Sequence, residues 1–185
     1  MGTPFKWVKQ VASHYGGTAQ GVAMAWPGHI TDAGGIRRQF SHIIDIVPTI
    51  LEATGIPAPA TINGIRQSPI DGVSMAYAWD RANADVPTRH GTQYFEMLGN
   101  RAIYHDGWVA ATFGPLVPWL PGAPGLAEWD SAKDKWELYN IDEDWSQAQD
   151  LAAANPKKLE ELKLLFLVES TKNKNLPIGG GMWST

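Results

Sequence analysis

A lysine and a histidine stand just ahead of a glycine pair in the stretch KQVASHYGGTAQGVAMAWPG, residues 9–28. The Lys9 ammonium can neutralise an anionic oxygen, and the His14 imidazole can donate a proton or a hydrogen bond to one. Gly16 and Gly17 let the backbone approach a ligand closely. These residues suggest an anion site. On their own, a surface lysine and a turn histidine are the more common interpretation.

A second polar pair, His42 and Asp45, lies three residues apart at a predicted helix start. The two side chains could ligate a metal from one face of that helix. More often such an aspartate caps the helix and the histidine packs against the turn. His90 and His105 are isolated in the sequence, and no pair of acidic residues lies at a spacing that demands acid–base chemistry.

The elements that must position these groups are short. The apolar run GVAMAW at 21–26 predicts a strand buried on both faces, ended by Pro27-Gly28. The stretch SHIIDIVPTILEATGIPAP at 41–59 predicts a helix that begins at Asp45 and stops at Gly55. A strand, a loop and a helix in this order are typical of one unit of an α/β sheet.

The second half of the chain has a different pattern. QYFEM at 93–97 and RAIYHDGWVAAT at 101–112 predict strands, with a two-residue hairpin turn at Asp106-Gly107. KWELYNI at 135–141 predicts another strand, whereas the proline-rich residues 113–127 predict a loop. Asn155-Pro156 predicts the start of a final helix. The apolar stripe of that helix is Leu159, Leu162, Leu165 and Phe166.

We therefore expect two domains. Residues 1–88 would form the C-terminal portion of an α/β domain, with too few strands for a stable sheet of its own. Residues 89–185 would form a small antiparallel sheet with one long helix over it.

Composition limits the classes of function. The chain has 185 residues, 44% of them apolar and 18% charged, as in globular proteins. Its net charge of −4 and lack of a basic block argue against nucleic acid as a partner. It has no cysteine, which excludes a cysteine nucleophile within this chain. No run of about 18 apolar residues predicts a membrane span, and the compartment stays unknown.

Several strings, taken together in order and spacing, resemble the C-terminal part of the sulfatase family, and arylsulfatases in particular. These strings are Gly16-Gly17, Trp26-Pro27-Gly28, His42-x-x-Asp45-x-x-Pro48-Thr49, Gly55-Ile56, Asp71-Gly72-Val73-Ser74 and the later WELYN and DLA. The resemblance implies the end of an alkaline-phosphatase-like α/β sheet domain followed by a small antiparallel sheet with one long C-terminal helix.

The same resemblance implies hydrolysis of a small-molecule sulfate ester. Family members use a formylglycine nucleophile, made from Cys or Ser in a Cys/Ser-x-Pro-x-Arg motif, and Ca²⁺ held by acidic residues. Those residues are expected upstream of Met1, in an N-terminal part of the catalytic domain that would be this chain's partner. The string Asp85-Val86-Pro87-Thr88-Arg89 has Asp at the modified position and is interpreted as a coincidence.

Within the resemblance, Lys9 is the candidate for contact with the sulfate. It stands seven residues before Gly16, one more than the common family spacing, and Gln10 occupies the usual place, so a one-residue insertion is assumed. Lys6 is a second candidate. Many members carry an arginine after the glycine pair, where this chain has Thr18-Ala19-Gln20. His14 is the candidate that could compensate.

Two other functions remain open at this point. A related phosphate- or phosphonate-ester hydrolase would share much of the pattern, and the identity of the upstream nucleophile would discriminate it. A non-catalytic remnant or interaction fragment would show no such nucleophile.

Overall fold

The computed structural model describes residues 4–115 and 129–178. Its helices are α1 (Tyr15–Thr18), α2 (Ile46–Thr54) and α3 (Pro156–Lys172). Its strands are β1 (Thr61–Ile62), β2 (Ile65–Arg66), β3 (Thr92–Met97), β4 (Asn100–His105), β5 (Trp108–Thr112) and β6 (Glu137–Asn140). Short 3₁₀ turns occupy Ile43–Asp45, Ala76–Trp79, Arg81–Asn83 and Ser131–Lys133.

The chain folds as two compact units. Residues 22–91 form one, which we call the loop unit. The residues before 22 and after 91 form the other, which we call the sheet unit. The division into domains near residue 88 stays a prediction.

The sheet unit contains a four-stranded antiparallel sheet in the order β3-β4-β5-β6. The predicted hairpin is confirmed, since Asp106 and Gly107 have φ of 43° and 82°, as a two-residue turn between twisted strands requires. The predicted strand at 135–141 is confirmed in its central four residues. Most of the predicted loop at 113–127 lies outside the described residues.

Helix α3 covers one face of this sheet. It begins at the proline that the sequence predicted, because proline lacks only an N–H that the first helical turn leaves unpaired. The register places Ile103, Ala110 and Leu138 side by side on that face. Leu162 and Phe166 of α3 pack against them as one buried cluster, which forms the core of the unit.

The opposite face of the same sheet is covered by the N-terminal segment. Lys6 and His14 both contact β6 through hydrogen bonds to its side chains. Tyr104, Val109 and Tyr139 lie side by side on this face and are buried. The sheet is thus enclosed on both sides, so it is more deeply buried than its short strands suggest.

In the loop unit, α2 confirms the predicted helix. It begins after Asp45 and ends at Gly55, whose φ of 66° is the left-handed conformation that stops a helix. A two-stranded hairpin of β1 and β2 follows. The predicted class, a mixed α/β chain with an antiparallel sheet and a long C-terminal helix, is confirmed.

The prediction of a strand at residues 21–26 is wrong. These residues form no strand, and Val22 is 61% exposed. A strand that is apolar on both faces needs neighbours for its backbone and cover for its side chains. Within the described residues nothing pairs with it, so the apolar run alone does not form a strand.

Candidate functional site

Lys9 lies at the corner of a tight turn. The Val11 N–H donates to the Val8 carbonyl at 3.2 Å, with Lys9 and Gln10 between them. Gln10 has a φ of 78°, the positive value that a type II turn requires at its third residue. Val11 is completely buried, whereas Lys9 is exposed. The ammonium therefore projects from a corner whose following residue is fixed in the core.

The other lysine candidate is engaged inside the protein. Lys6 Nζ donates to the Tyr139 hydroxyl at 2.9 Å and lies 5.0 Å from the centre of the same ring. The Tyr139 hydroxyl donates in turn to Glu137 Oε2 at 2.6 Å. Among the described residues, no comparable hydrogen bond or ion pair involves Lys9. The two lysines thus differ in availability for a ligand.

His14 is buried at the centre of this cluster. Its Nε2 lies 2.9 Å from Glu137 Oε2, and its Nδ1 lies 2.8 Å from Ser13 Oγ. The hydrogen bond from His14, helped by the Tyr139 hydroxyl and by the charge of Lys6, lowers the pKa of Glu137 to about 2 even though burial acts in the opposite direction. A carboxylate only accepts hydrogen bonds, so His14 Nε2 carries the proton.

Tyr139 is held in its neutral form. Burial raises its pKa, and the hydrogen bond that it donates to Glu137 raises the pKa further. A neutral hydroxyl can donate to Glu137 and accept from Lys6 at the same time. The cluster Lys6–Tyr139–Glu137–His14 is therefore a continuous set of charge-assisted hydrogen bonds that fixes the N-terminal segment on β6.

The glycine pair forms part of α1 and allows close packing. The Gly16 N–H donates to the Lys6 carbonyl at 3.0 Å. A Cβ on Gly16 would collide with the carbonyl oxygens of Lys6 and Trp7, and one on Gly17 would collide with that of Val11. These glycines are thus required by the approach of two backbone segments. They let α1 lie close to the backbone on both sides of the turn that carries Lys9.

The sequence prediction did not identify Glu137, Tyr139 or Ser13 as parts of this arrangement. One usable signal is that Glu137 and Tyr139 alternate onto the same face of a predicted strand. Lys9 and His14 keep their status as predicted site residues. The structure places them on the same turn-and-helix segment, with Lys9 exposed and His14 buried.

The second candidate pair proves to be part of a hydrogen-bond network in the loop unit. Asp45 is completely buried, and its carboxylate accepts from the backbone N–H groups of His42 and Val73. The same carboxylate lies 2.8 Å from His90 Nδ1. Asp45 directly precedes α2, but its side chain makes no cap hydrogen bond to that helix, so the predicted N-cap role is wrong. The carboxylate instead closes the 3₁₀ turn Ile43–Asp45 by accepting from the His42 N–H. His90 is isolated in the sequence, and the fold brings it to Asp45 across 45 positions.

His42 lies beside this pair. Burial lowers its pKa, and the neighbouring His90 lowers it further. A close approach of backbone explains the Asp71-Gly72 motif, because a Cβ on Gly72 would collide with the Ile44 carbonyl. In this unit, motifs that carry the family resemblance thus hold residues 71–73 against residues 44–45.

The string Asp85-Val86-Pro87-Thr88-Arg89 is also tied into the loop unit. Thr88 Oγ1 donates to the Phe40 carbonyl at 2.7 Å. The Arg89 guanidinium lies 4.3 Å from the centre of the Tyr77 ring. These contacts give Thr88 and Arg89 a structural role within the loop unit.

In the part of the chain that the structure describes, no three His, Asp or Glu side chains come together as ligands for a cation. The resemblance implies a Ca²⁺ site whose acidic ligands are expected outside this chain, so this site stays a prediction and we derive no step through that ion. The helices of residues 4–115 and 129–178 include none that is long and apolar enough to span a bilayer.

No protein-family model matches the chain. Among solved structures, Ps i-CgsB in complex with k-i-k-neocarrahexaose matches with a TM-score of 0.57 and 20% identity, over 98% of this chain and 34% of that one. A second structure of Ps i-CgsB matches with a TM-score of 0.51 and 20% identity, over 85% of this chain and 30% of that one.

A third match is a protein solved with its substrate D-glucosamine-2-N,6-O-disulfate. It has a TM-score of 0.49 and 18% identity, over 78% of this chain and 27% of that one. These structural neighbours are sulfatases, and this chain spans about a third of their length. The chain has the fold of the C-terminal portion of the Ps i-CgsB structures.

Proposed function

We propose that this chain is the C-terminal portion of a sulfatase-type hydrolase and that Lys9 contacts the sulfate ester. The observation that carries the proposal is the contrast between the two lysines. Lys9 is exposed at a fixed corner, whereas Lys6 is bonded to Tyr139. The fold shared with the sulfatase neighbours supports the reaction class.

The physical role of Lys9 follows from the chemistry of sulfate esters. As the ester bond breaks, negative charge develops on the leaving oxygen. A fixed ammonium near that oxygen stabilises the transition state more than the ground state. The ammonium acts in this way only if its position is set before the reaction. The buried Val11 and the cluster on β6 fix the backbone from which that ammonium extends.

His14 serves this proposal as a positioning residue. Both of its ring nitrogens are engaged, one with Glu137 and the other with Ser13. It orders the segment that carries Lys9. The sequence suggested a different role, in which His14 contacts the anion directly. The nucleophile, and the Ca²⁺ and formylglycine that the resemblance implies, would come from the remainder of such an enzyme.

The substrate that we propose is a small sulfate ester, with a sulfated saccharide favoured over a simple aryl sulfate. The support is that a protein sharing this fold was solved with an oligosaccharide. The arylsulfatase assignment suggested by sequence is the narrower alternative.

Kinetics of a longer enzyme that contains this chain test the role of Lys9. Lys9→Ala should lower turnover about 10²–10³-fold, the usual effect of losing one charge-stabilising contact. The effect should be larger for poor leaving groups, which develop more charge. Lys133→Ala, which removes another exposed lysine, is the matched control and should leave turnover unchanged.

Three outcomes would contradict the proposal. Lys9→Ala could have no larger effect than Lys133→Ala. Lys6→Ala could lower turnover while its Tm and the activity of Lys9→Ala stay normal, which would move the role to Lys6. The enzyme could also hydrolyse phosphate monoesters in preference to sulfate esters, which would favour the phosphoesterase alternative.

A further inference from the structure

Trp7 presents an aromatic surface two residues before Lys9. Its side chain is 40% exposed. Its indole stacks on the Phe113 ring, with centroids 4.1 Å apart and planes inclined by 20°. A ring stacked in this way has one face covered. The His14 ring also lies near the indole, with centroids 6.5 Å apart and planes inclined by 57°, so the exposed surface of Trp7 is what Phe113 and His14 leave uncovered.

The backbone of Trp7 is in an unusual conformation. Its φ is 64°, in the left-handed region that is rare for a bulky side chain. Such residues persist only where the surroundings hold them, and they concentrate at ligand sites. Here the neighbouring Gly16 N–H holds the Lys6 carbonyl, and Phe113 holds the indole. The exposed tryptophan is therefore fixed in place.

The spacing between Trp7 and Lys9 suits a ligand that has a six-membered ring and an anionic group. The Cα atoms of Trp7 and Lys9 can be at most about 7 Å apart. Val8, between them, is also exposed. A six-membered ring that carries a sulfate ester has similar dimensions, with an apolar face and a charged substituent.

We propose that Trp7, backed by Phe113, is a stacking platform for the ring of the sulfate ester whose charged group Lys9 contacts. This rests on the proposed function and names the ligand class: a six-membered ring with an apolar face, either a pyranose or an arene. Burial of the ring against the indole supplies apolar contact, and Lys9 supplies the charge. The ring and the sulfate are thereby recognised by two residues, Trp7 and Lys9, of one segment.

Binding to the 185-residue chain tests the platform by saturation-transfer NMR and tryptophan fluorescence. The probes are glucosamine 6-sulfate, unsulfated glucosamine, 4-nitrophenyl sulfate and inorganic sulfate. Trp7→Ala should weaken binding of the two ring sulfates about ten-fold, as for loss of a central aromatic contact, and should leave inorganic sulfate unaffected. Trp7→Phe should restore most of the affinity, because it keeps an aromatic face.

Trp145→Ala is the matched control, since Trp145 is a 55% exposed tryptophan of the same unit and packs edge-on against Phe5. It should bind every probe like the unmodified chain. Near-UV circular dichroism of each variant should show that the fold is retained. Equal effects of Trp7→Ala and Trp145→Ala would overturn the platform, as would a wild-type chain that binds neither ring sulfate.

Lys9→Ala separates this inference from the proposed function. If the platform is right and the lysine assignment is wrong, Lys9→Ala leaves the preference for sulfated over unsulfated glucosamine intact while Trp7→Ala weakens both sugars. If the lysine assignment is right and the platform is wrong, Lys9→Ala abolishes that preference while Trp7→Ala has no effect. Loss of 4-nitrophenyl sulfate binding alone in Trp7→Ala would contradict a pyranose and favour an arene.

Discussion

The sheet unit and the loop unit are stabilised by different means. In the sheet unit, apolar side chains such as Leu138 and Phe166 are buried between sheet and helix. In the loop unit, Ala78 is the only apolar residue among residues 22–91 that is buried, and it keeps 7% exposure. Buried polar groups take the place of a core there, with Asp45, Thr49 and His90 joined by hydrogen bonds to backbone and to one another.

The loop unit also exposes much apolar surface. The exposed large apolar residues within 22–91 are Val22, Met24, Ile36, Ile43, Ile46, Val47, Ile50, Ile56, Ile62, Ile65 and Ile70. Where such residues adjoin one another, exposed apolar surface is typical of a place where another element or molecule packs. We conclude that polar bonds define the loop conformation of this unit, whereas apolar burial stabilises the sheet unit.

Truncating the core of the sheet unit should have the largest effect. Phe166→Ala removes a buried ring that packs on Tyr94 and Trp136, and should lower the free energy of unfolding by about 3–5 kcal/mol. Urea denaturation, monitored by tryptophan fluorescence, measures this free energy of unfolding. Ile50→Ala, at an exposed site of the loop unit, should change it by less than about 0.5 kcal/mol. Similar losses in both variants would contradict the contrast between the units.

Removing the Asp45 carboxylate should disrupt the loop unit, as Phe166→Ala should disrupt the sheet unit. Asp45→Ala leaves His90 and two backbone N–H groups without their acceptor, and should destabilise that unit by about 3 kcal/mol. Amide hydrogen exchange of residues 46–54 is the measurement. Asp71→Ala, at an exposed motif residue, is the control. An undisturbed exchange pattern in Asp45→Ala would show that the polar network does not hold this unit.

Hydrogen exchange of the unmodified chain compares the units directly. Amides of α2 should exchange at least about 100-fold faster than those of β4 and β5, because their opening exposes little apolar surface that is not already exposed. Equal protection would mean that the loop unit is as cooperative as the sheet unit.

Acid should weaken the sheet unit through Glu137. The folded state lowers the pKa of Glu137 from its ordinary 4.5 to about 2, so its stabilising charge is fully present above pH 4.5 and is lost as the pH falls towards 2. Glu137→Gln should cost about 2 kcal/mol at pH 7 and flatten this part of the stability profile. Thermal unfolding between pH 2 and 7 measures both.

Glu161→Gln, at an exposed helix position, is the matched control and should retain the wild-type pH profile. A Glu137→Gln variant that also keeps the wild-type profile would show that the cluster with His14 does not depend on this charge.

Local signals in the sequence determined much of the secondary structure. The helix from Asp45 to Gly55, the hairpin at Asp106-Gly107 and the helix that begins at Pro156 were all predictable. Each depends on capping, turn chemistry or periodicity within a few residues. These preferences act before any distant contact forms, so the sequence by itself carries them.

Only the tertiary structure decided which distant residues meet. His14 contacts Glu137 across 123 positions, Lys6 contacts Tyr139 across 133, and neither distance has a sequence signature. The run at 21–26 shows the same limit, because an apolar pattern becomes a strand only when neighbouring strands bond its backbone. Side chains of suitable chemistry are set by the sequence. Their partners, and hence which lysine is left exposed for a ligand, are set by packing.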